Sequence, residues 1–309
     1  MIKILLTSTS FQDTPGEHQL QLENLGYEIT YLRGPLTENE LLPVIERYDG
    51  IICGDDEITQ AVIQKGASNK LKIISKYGSG LDKIDLNAAK KCGIPVTNCP
   101  AVNQTTVAEH VFALLLAHVK NIIQENKYTQ EGKWERMIGI DLAGKTLGVM
   151  GTGNVGKEVI KRALAFGMKI IAFDKYPDKF FSLKHDINYV ENLKDLFQQS
   201  DIITLHMNLD KNSRHILNKD AFKSMKDGVI LINTSRAGLV VEDEILRAVK
   251  SGKLGGYLTD VMEIEPMQQD HPFLNHQNIL ITPHIGSRTH ENVVKQGKIA
   301  VNNLIENLR

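Results

Sequence analysis

The sequence contains little cysteine and only one tryptophan, and neither charge is in excess. Its three cysteines, Cys53, Cys92 and Cys99, are odd in number and form no C-x-x-C pair, so neither a disulfide framework nor a zinc ribbon is expected. Lysine and arginine total 36 against 37 aspartate and glutamate, which leaves no basic surplus to neutralise a nucleic-acid backbone. The longest uninterrupted apolar run, residues 111–117, is too short to cross a bilayer.

These absences exclude several classes of protein. No nucleic-acid partner and no membrane association are expected, and the N-terminal apolar run is too short for a signal peptide, so the sequence predicts a cytoplasmic protein. The histidines show no H-E-x-x-H pattern and no clustered Cys/His spacing, and we therefore expect no metal. A chain of 309 residues with 42% hydrophobic content is long enough for two domains of ordinary size.

Short strand-like runs alternate with helical patterns along the whole chain, which is typical of an α/β fold built from doubly wound parallel sheets. The runs form two sets, and we therefore predict two sheets. Strands of the first set are predicted at residues 3–7, 27–32, 50–54, 72–76 and 95–99, and those of the second at 146–150, 169–174, 201–206, 228–234, 256–261 and 278–282.

Two long helices complete this prediction. One opens with a capping-box pattern at Thr106 and Glu109 and separates the two sets of strands. The other ends the chain with an apolar stripe from Val293 to Leu308, and we expect it to pack on the first sheet or to bridge the two sheets.

Three glycines, Gly151, Gly153 and Gly156, follow the first strand of the second set and precede a helical pattern. In such a turn the first glycine permits the tight bend, the second lets a pyrophosphate approach the backbone, and the third lets the helix pack closely on the strand. The anion rests on the helix N-terminus, so Asn154 and Val155 are also expected to contact the cofactor. The pattern predicts a dinucleotide site.

Asp174 ends the next predicted strand and selects between cofactors. A carboxylate at this position accepts hydrogen bonds from a ribose 2′-hydroxyl and repels a 2′-phosphate. The sequence therefore predicts NAD rather than NADP.

Three reactive side chains, Arg236, Glu265 and His284, each follow a predicted strand of the second set, at the edge where open α/β sheets bind ligands. An arginine binds a carboxylate through two parallel hydrogen bonds, and a histidine exchanges a proton near neutral pH. A neighbouring carboxylate orients the imidazole and favours its charged form. Taken singly, the three also have structural interpretations: a solvated arginine, a turn residue before Pro266 and a hydrogen-bonded histidine.

Several segments of the chain resemble, in the same order, the D-isomer-specific 2-hydroxyacid dehydrogenase family. Besides the glycine turn, they are residues 76–85, 98–103, 107–110, 233–238, 260–266 and 283–286. The resemblance covers nearly the whole chain. It implies a Rossmann cofactor domain, residues 101–284, inserted into a flavodoxin-like substrate-binding domain formed by residues 1–100 and 285–309.

The resemblance also implies roles for single residues. Arg236, Glu265 and His284 match the family's catalytic residues, with His284 as the general base that takes the hydroxyl proton while hydride moves to the nicotinamide. Beyond the glycine turn and Asp174, cofactor-binding residues are expected at His206, Met207, Thr234, Ser235, Asp260 and Gly286. Substrate-binding residues are expected at Lys76, Ser79, Gly80, Arg236 and His284. A core position for His206 and a purely capping role for Asp260 are the alternatives.

The substrate is open between two classes. The segment 132–136 resembles a loop of phosphoglycerate dehydrogenases in which an arginine reaches the phosphate bound to the partner subunit, and Lys76 stands where those enzymes place a basic residue. These features favour D-3-phosphoglycerate. Those enzymes usually carry an arginine–serine pair after the third strand, whereas this chain has Asp55 and Asp56, which would repel a phosphate. Glyoxylate, hydroxypyruvate or another 2-keto acid is the alternative.

Two further expectations concern partners. Corepressors that resemble this family keep the catalytic residues and bind NAD to control assembly, so an NAD-binding interaction protein is an alternative of another class. Trp134 and the helix from Thr106 resemble the family's dimer interface, which predicts a homodimer; packing of Trp134 within the subunit is the alternative.

Overall fold

The computed structural model describes residues 1–308, which form two compact units. Unit 1 contains residues 1–103 and the residues from Arg288 onward, and unit 2 contains Gln104–Ser287. The chain therefore leaves unit 1, builds unit 2 and returns to unit 1. Both boundaries lie close to those that the resemblance implies.

Unit 1 is built on a five-stranded parallel sheet. Its strands are β1 (Lys3–Leu6), β2 (Glu28–Tyr31), β3 (Gly50–Cys53), β4 (Ile73–Lys76) and β5 (Val96–Thr97). Their order across the sheet, β2-β1-β3-β4-β5, is the flavodoxin-like order. All five lie within predicted strands, because each is a short run of strand-forming residues bounded by turn residues.

The helices of unit 1 cover both faces of this sheet. Its N-terminal part contains α1 (Thr9–Asp13), α2 (Glu17–Glu23), α3 (Glu38–Leu41), α4 (Gln60–Ala67) and α5 (Leu86–Cys92), with a 3-10 turn at Ile45–Arg47. Ile51 and Ile74 belong to one hydrophobic core, while Ile52 and Ile73 belong to the other. Burial on both faces explains why β3 and β4 each contain two adjacent isoleucines.

Unit 2 is built on a seven-stranded parallel sheet. Its strands are β6 (Thr146–Met150), β7 (Lys169–Phe173), β8 (Asn188–Tyr189), β9 (Ile202–Leu205), β10 (Val229–Asn233), β11 (Leu254–Thr259) and β12 (Ile279–Ile281). Their order, β12-β11-β10-β9-β6-β7-β8, is the Rossmann order with one strand added at the edge. The order reverses between β6 and β9, where sheets of this kind bind dinucleotides.

The helices of unit 2 are α6 (Gln104–Val119), α7 (Ile122–Gln130), α8 (Asn154–Ala165), α9 (Lys179–His185), α10 (Leu193–Gln199), α11 (Lys219–Ser224) and α12 (Glu242–Lys250), with a 3-10 turn at Ala237–Leu239. The predicted capping box is wrong, because α6 begins at Gln104 and Thr106 lies inside the helix. Glu109 instead accepts a hydrogen bond from Arg162 of α8 at 3.3 Å.

No single helix within residues 1–308 has both the length and the apolar composition of a membrane-crossing segment. Only α6 and α7 taken together meet that test, and they are bent by 59° relative to each other.

The last helix, α13 (His290–Leu308), returns to unit 1 and packs against α2, β3 and β4. Its buried stripe includes Val301 and Leu304, which share a core with Ile52 and Ile73. The helix was predicted either to pack on the first sheet or to bridge the two sheets, and in the structure it packs on the first sheet.

Candidate active site

The glycine turn connects β6 to α8 at the point where the order of the second sheet reverses. Gly151 has a φ of +93°, and a Cβ atom there would lie 2.6 Å from the carbonyl oxygen of His206. A Cβ atom on Gly156 would lie 2.1 Å from the carbonyl oxygen of Gly151. These two positions therefore require glycine for the fold itself, because strand, turn and helix approach too closely for a side chain.

Gly153 differs from the other two glycines. A Cβ atom at this position would meet no protein atom within 4 Å among the residues described. Gly153 is also the N-cap of α8, and it makes no side-chain capping hydrogen bond. The open space therefore lies at the positive end of a twelve-residue helix, which is the place where a pyrophosphate binds.

Asp174 follows β7 and is hydrogen-bonded to the glycine turn. Its Oδ2 atom accepts hydrogen bonds from the backbone N–H of Thr152 at 2.6 Å and from the Thr152 hydroxyl at 2.9 Å, while Oδ1 accepts from the backbone N–H of Tyr176 at 2.8 Å. The Tyr189 hydroxyl in turn donates to Thr152 Oγ1 at 2.8 Å. Thr152 and Tyr189 thus hold the carboxylate in place, and neither was identified from the sequence.

The other predicted cofactor residues of this edge follow β9 and β10. His206 lies within 2.9 Å of the Thr204 hydroxyl, and desolvation lowers the pKa of His206 to about 3, so its ring is neutral at physiological pH. The Ser235 hydroxyl donates to the carbonyl oxygen of Leu205 at 2.7 Å. Within residues 1–308, the hydroxyl oxygen of Thr234 is buried without a hydrogen-bond partner, which leaves it available to a ligand.

His284 and Glu265 form a hydrogen-bonded pair. His284 Nδ1 lies 2.7 Å from Glu265 Oε2, and both side chains are partly exposed. Glu265 Oε1 accepts a hydrogen bond from the backbone N–H of Met262 at 2.9 Å, so the carboxylate is fixed from its other side. This contact on Nδ1 orients the imidazole ring.

Asp260, at the end of β11, holds the loop that carries His284. Its carboxylate accepts hydrogen bonds from the Thr282 hydroxyl at 2.6 Å and from the backbone N–H groups of Ile285 and Gly286 at 2.8 and 2.7 Å. Burial raises the pKa of Asp260, but hydrogen bonds from His110, Thr282 and the two N–H groups outweigh it, and the pKa is lowered overall. Asp260 is only 2% exposed. Its geometry is that of a residue capping the loop, which was the alternative to direct contact with the cofactor.

Gly286 and His110 belong to the same network. A Cβ atom on Gly286 would lie 2.8 Å from Asp260 Oδ2, so glycine is needed for the close approach. His110 Nε2 lies 2.9 Å from Thr282 Oγ1 and 3.4 Å from Asp260 Oδ1. His110 lies in one of the segments that resemble the family, but the sequence suggested no role for this side chain; the structure places it behind the loop of His284.

Arg236 lies directly beyond β10, next to the strand that leads to Asp260. The carbonyl oxygen of Arg236 accepts a hydrogen bond from Asn233 Nδ2 at 2.9 Å, and its own Nη1 donates to the carbonyl oxygen of Ser235 at 2.8 Å. Since β10, β11 and β12 are consecutive in the sheet, Arg236, Glu265 and His284 all follow the carboxyl ends of neighbouring strands. Unit 2 thus contains all three predicted catalytic residues.

The predicted substrate residues Lys76, Ser79 and Gly80 belong to unit 1. They follow or end β4, and the carbonyl oxygen of Ser79 accepts a hydrogen bond from Asn98 Nδ2 at 2.7 Å. The side chain of Lys76 is buried, and its Nζ donates to Asp55 Oδ1 at 2.7 Å and to the carbonyl oxygen of Gly54 at 2.5 Å.

The interpretation of Asp55 and Asp56 as two ligand-facing carboxylates is wrong for Asp56. Asp56 is 1% exposed and accepts hydrogen bonds from the Thr7 hydroxyl, the Leu36 N–H and the Gly54 N–H at 2.6, 2.6 and 2.8 Å. These hydrogen bonds fix the loop after β3, so Asp56 has a structural role. Asp55 alone has a substantially exposed carboxylate.

No group of three side chains of histidine, cysteine, aspartate or glutamate in the described part of the chain is arranged to hold a metal ion.

Comparison with known proteins places unit 2 in a family. Residues 112–286 match the family model described as D-isomer specific 2-hydroxyacid dehydrogenase, NAD binding domain. The chain belongs to this family. The family and the NAD cofactor predicted from the sequence are thereby confirmed, and the open cradle at Gly153 fits that cofactor.

Individual relatives have different names. The chain is 38% identical to a D-3-phosphoglycerate dehydrogenase of Methanocaldococcus jannaschii over 100% of its own length and 58% of that protein, and it spans about half the length of the phosphoglycerate dehydrogenases it matches. It is 41% identical to a hydroxypyruvate reductase of Thermotoga maritima, over 83% of both chains. Among solved structures, D-lactate dehydrogenase of Escherichia coli is similar with a TM-score of 0.85 and 29% identity, covering 99% of this chain and 96% of that one.

Proposed function

We propose that this protein is an NAD-dependent dehydrogenase that interconverts a D-2-hydroxy acid and the corresponding 2-keto acid. The observation that carries the proposal is the His284–Glu265 hydrogen bond of 2.7 Å within an NAD-binding domain of this family. A histidine oriented through Nδ1 by a fixed carboxylate is suited to moving a proton at its other nitrogen.

His284 is the proposed general acid–base group. In oxidation its Nε2 atom takes the proton of the substrate hydroxyl as the C–H bond at the same carbon breaks; in reduction it returns that proton to the keto oxygen. NAD, when bound, accepts the hydride in the first direction and supplies it in the second. Glu265 stabilises the imidazolium formed during oxidation.

Arg236 is the proposed carboxylate-binding group. A guanidinium offers two parallel N–H donors to a carboxylate, and a 2-hydroxy acid always carries one next to the reacting carbon. In unit 1, Ser79 and Gly80 remain proposed substrate-binding residues through their backbone N–H groups. Arg236, Ser79 and Gly80 would all bind the carboxylate, which every 2-hydroxy acid carries. These contacts therefore do not select among substrates.

The proposed cofactor site uses the residues at the reversal point of the second sheet. Gly153, Asn154 and Val155 would bind the pyrophosphate at the start of α8, and Asp174 would accept hydrogen bonds from the adenosine ribose. The neutral ring of His206 and the unsatisfied hydroxyl of Thr234 are further proposed contacts. Asp260 and Gly286 are instead proposed to act by positioning the loop of His284.

We also propose a homodimer, formed through α7 and the segment that follows it. This region exposes several large apolar side chains, namely Ile122, Ile123, Trp134, Met137, Ile138 and Ile140. Trp134 is 77% exposed, so packing within the subunit does not explain it. Such a patch is typical of a protein interface. Trp134→Ala with Ile138→Ser is expected to give monomers in analytical ultracentrifugation, whereas Phe180→Ser, an equally exposed position on α9, should not.

The activity is tested by NADH oxidation with a panel of 2-keto acids: glyoxylate, pyruvate, hydroxypyruvate and 3-phosphohydroxypyruvate. Turnover of at least one, with the D-isomer of the hydroxy acid as product, is the expected result. NADH binding without turnover of any keto acid would contradict the proposal and favour an NAD-binding interaction protein.

A further inference from the structure

The Lys76–Asp55 ion pair joins a buried cation to a partly exposed carboxylate in unit 1. Lys76 ends β4 and Asp55 follows β3, and the register of the two strands places Cys53 beside Lys76. The Lys76 side chain is 5% exposed, whereas that of Asp55 is 43% exposed. Burial lowers the pKa of Lys76, but the neighbouring Asp55 outweighs it and the pKa is raised overall, so the ammonium stays charged.

The donors of this ammonium are directed into the protein. Nζ donates to Asp55 Oδ1 at 2.7 Å and to the carbonyl oxygen of Gly54 at 2.5 Å. Two of the three N–H donors of the ammonium are thus bonded within the protein, and the Asp55 carboxylate offsets its charge. A second negative group at Lys76 would therefore also meet the Asp55 carboxylate.

The pair lies at the ligand-binding edge of its sheet. Carboxyl ends of parallel strands form the site in open α/β sheets, and both residues are at the ends of neighbouring strands. A Cβ atom added to Gly78 would lie 3.9 Å from Lys76 Nζ, so the ammonium lies near the start of the loop that contains Ser79 and Gly80. The exposed part of the pair at this edge is its carboxylate.

We propose that the Lys76–Asp55 pair makes this protein select 2-keto acids with an uncharged tail, such as hydroxypyruvate, over their phosphate esters. The inference rests on the proposed function. A phosphate dianion at this edge would meet the Asp55 carboxylate, while the charge of the buried Lys76 ammonium is already offset by that carboxylate. Asp56 makes no contribution, because its carboxylate is enclosed by Thr7, Leu36 and Gly54.

The experiment compares hydroxypyruvate with 3-phosphohydroxypyruvate, which differ only by the phosphate group. For the wild-type protein we expect kcat/KM to be higher for hydroxypyruvate. Asp55→Asn removes the carboxylate charge and frees the ammonium, so the ratio of the two kcat/KM values should shift toward the phosphate ester by at least about fivefold, from removal of one close charge repulsion. Lys76→Met should shift it the opposite way.

Glu28→Gln is the matched control. Glu28 pairs with Lys3 at 2.8 Å at the amino ends of β1 and β2, on the opposite edge of the same sheet. It makes the same change in charge, and the ratio should stay at its wild-type value.

The outcomes separate this inference from the proposed function. Wild-type protein that reduces hydroxypyruvate but uses the phosphate ester equally well or better overturns the selectivity alone. The same holds if Asp55→Asn and Glu28→Gln give one and the same ratio. Absence of turnover with every keto acid overturns both. The wild-type ratio is decisive even if a variant fails to fold.

Discussion

The two sheets use their carboxyl edges in opposite ways. In unit 2, the buried Asp260 binds backbone N–H groups and so presents His284 at the surface of the loop. In unit 1, the charged residues at the strand ends are bonded to each other or to the loop backbone, as Lys76 is to Asp55 and Gly54. One edge exposes reactive groups, and the other neutralises its own charge.

This difference separates two tasks. The His284–Glu265 pair, proposed to transfer the proton, and the cofactor cradle belong to one unit, where the Met262 N–H and the Asp260 carboxylate hold the pair and its loop. At the ends of β3 and β4 in the other unit, the cation Lys76 is buried and the Asp55 carboxylate is exposed, and we propose that this edge selects the substrate tail. We therefore expect changes in unit 2 to affect turnover or cofactor affinity, and changes at the edge of unit 1 to affect the preference among substrates.

The largest expected effect among the supporting residues is at Arg236. Arg236→Gln removes the charged donor for the substrate carboxylate and should lower kcat/KM by roughly 10²- to 10³-fold, the range for loss of one preorganised electrostatic contact. Steady-state NADH oxidation measures this, with Arg247→Gln on the exposed face of α12 as the control. A variant with wild-type kcat/KM would remove Arg236 from the site.

A smaller but more diagnostic effect is expected in the glycine turn. Gly153→Ala places a methyl group in open space and should leave the unfolding free energy unchanged, yet weaken NADH binding by at least about tenfold, equivalent to 1.4 kcal/mol. Gly156→Ala meets the carbonyl oxygen of Gly151 and should lower the unfolding free energy by about 1–3 kcal/mol. Fluorescence titration with NADH and urea unfolding distinguish the two. Equal behaviour of both variants would contradict a ligand-facing Gly153.

The smallest effect concerns stability in unit 1. His18 is buried beneath Gly297 of α13, and desolvation lowers its pKa below the ordinary value of 6.5. The unfolded chain therefore binds a proton that the folded chain does not, so stability is complete above pH 6.5 and falls below it, by at most about 1.4 kcal/mol per pH unit. His18→Gln should reduce the loss of unfolding free energy between pH 7.5 and 5.5. An unchanged loss would mean that other histidines, such as His118 and His206, account for it.

Much of the fold follows from local patterns. The strands of unit 1 and six of the strands of unit 2 overlap predicted strands, although β11 begins and ends two residues before its predicted bounds. The family resemblance indicates the insertion of one domain into another. Strand β8 is missed because Asn188 and Tyr189 are too few to show a period. The capping box at Thr106 is wrong because α6 begins two residues earlier, at Gln104, and Glu109 bonds to Arg162 instead.

Some residues of the site are also predictable from local sequence, and others are not. Gly151, Gly156 and the His284–Glu265 pair are predictable, since backbone geometry and chemistry restrict the residue types at these places. Asp55 and Asp56 are adjacent and chemically identical, yet one is half exposed and the other enclosed. Their difference depends on Thr7, Leu36 and Lys76, contacts that form only when the sheet is assembled.

We propose that His284 transfers the substrate proton in a domain that binds NAD independently of this side chain. In the decisive experiment, kcat for the best keto acid and the NADH dissociation constant are measured on the same preparation of His284→Ala, with His276→Ala as a control in the same unit. For His284→Ala we expect a loss of kcat of about 10³-fold, within the range for a general acid–base group, with NADH affinity nearly unchanged. Wild-type turnover in the variant, or loss of NADH binding along with turnover, would contradict it.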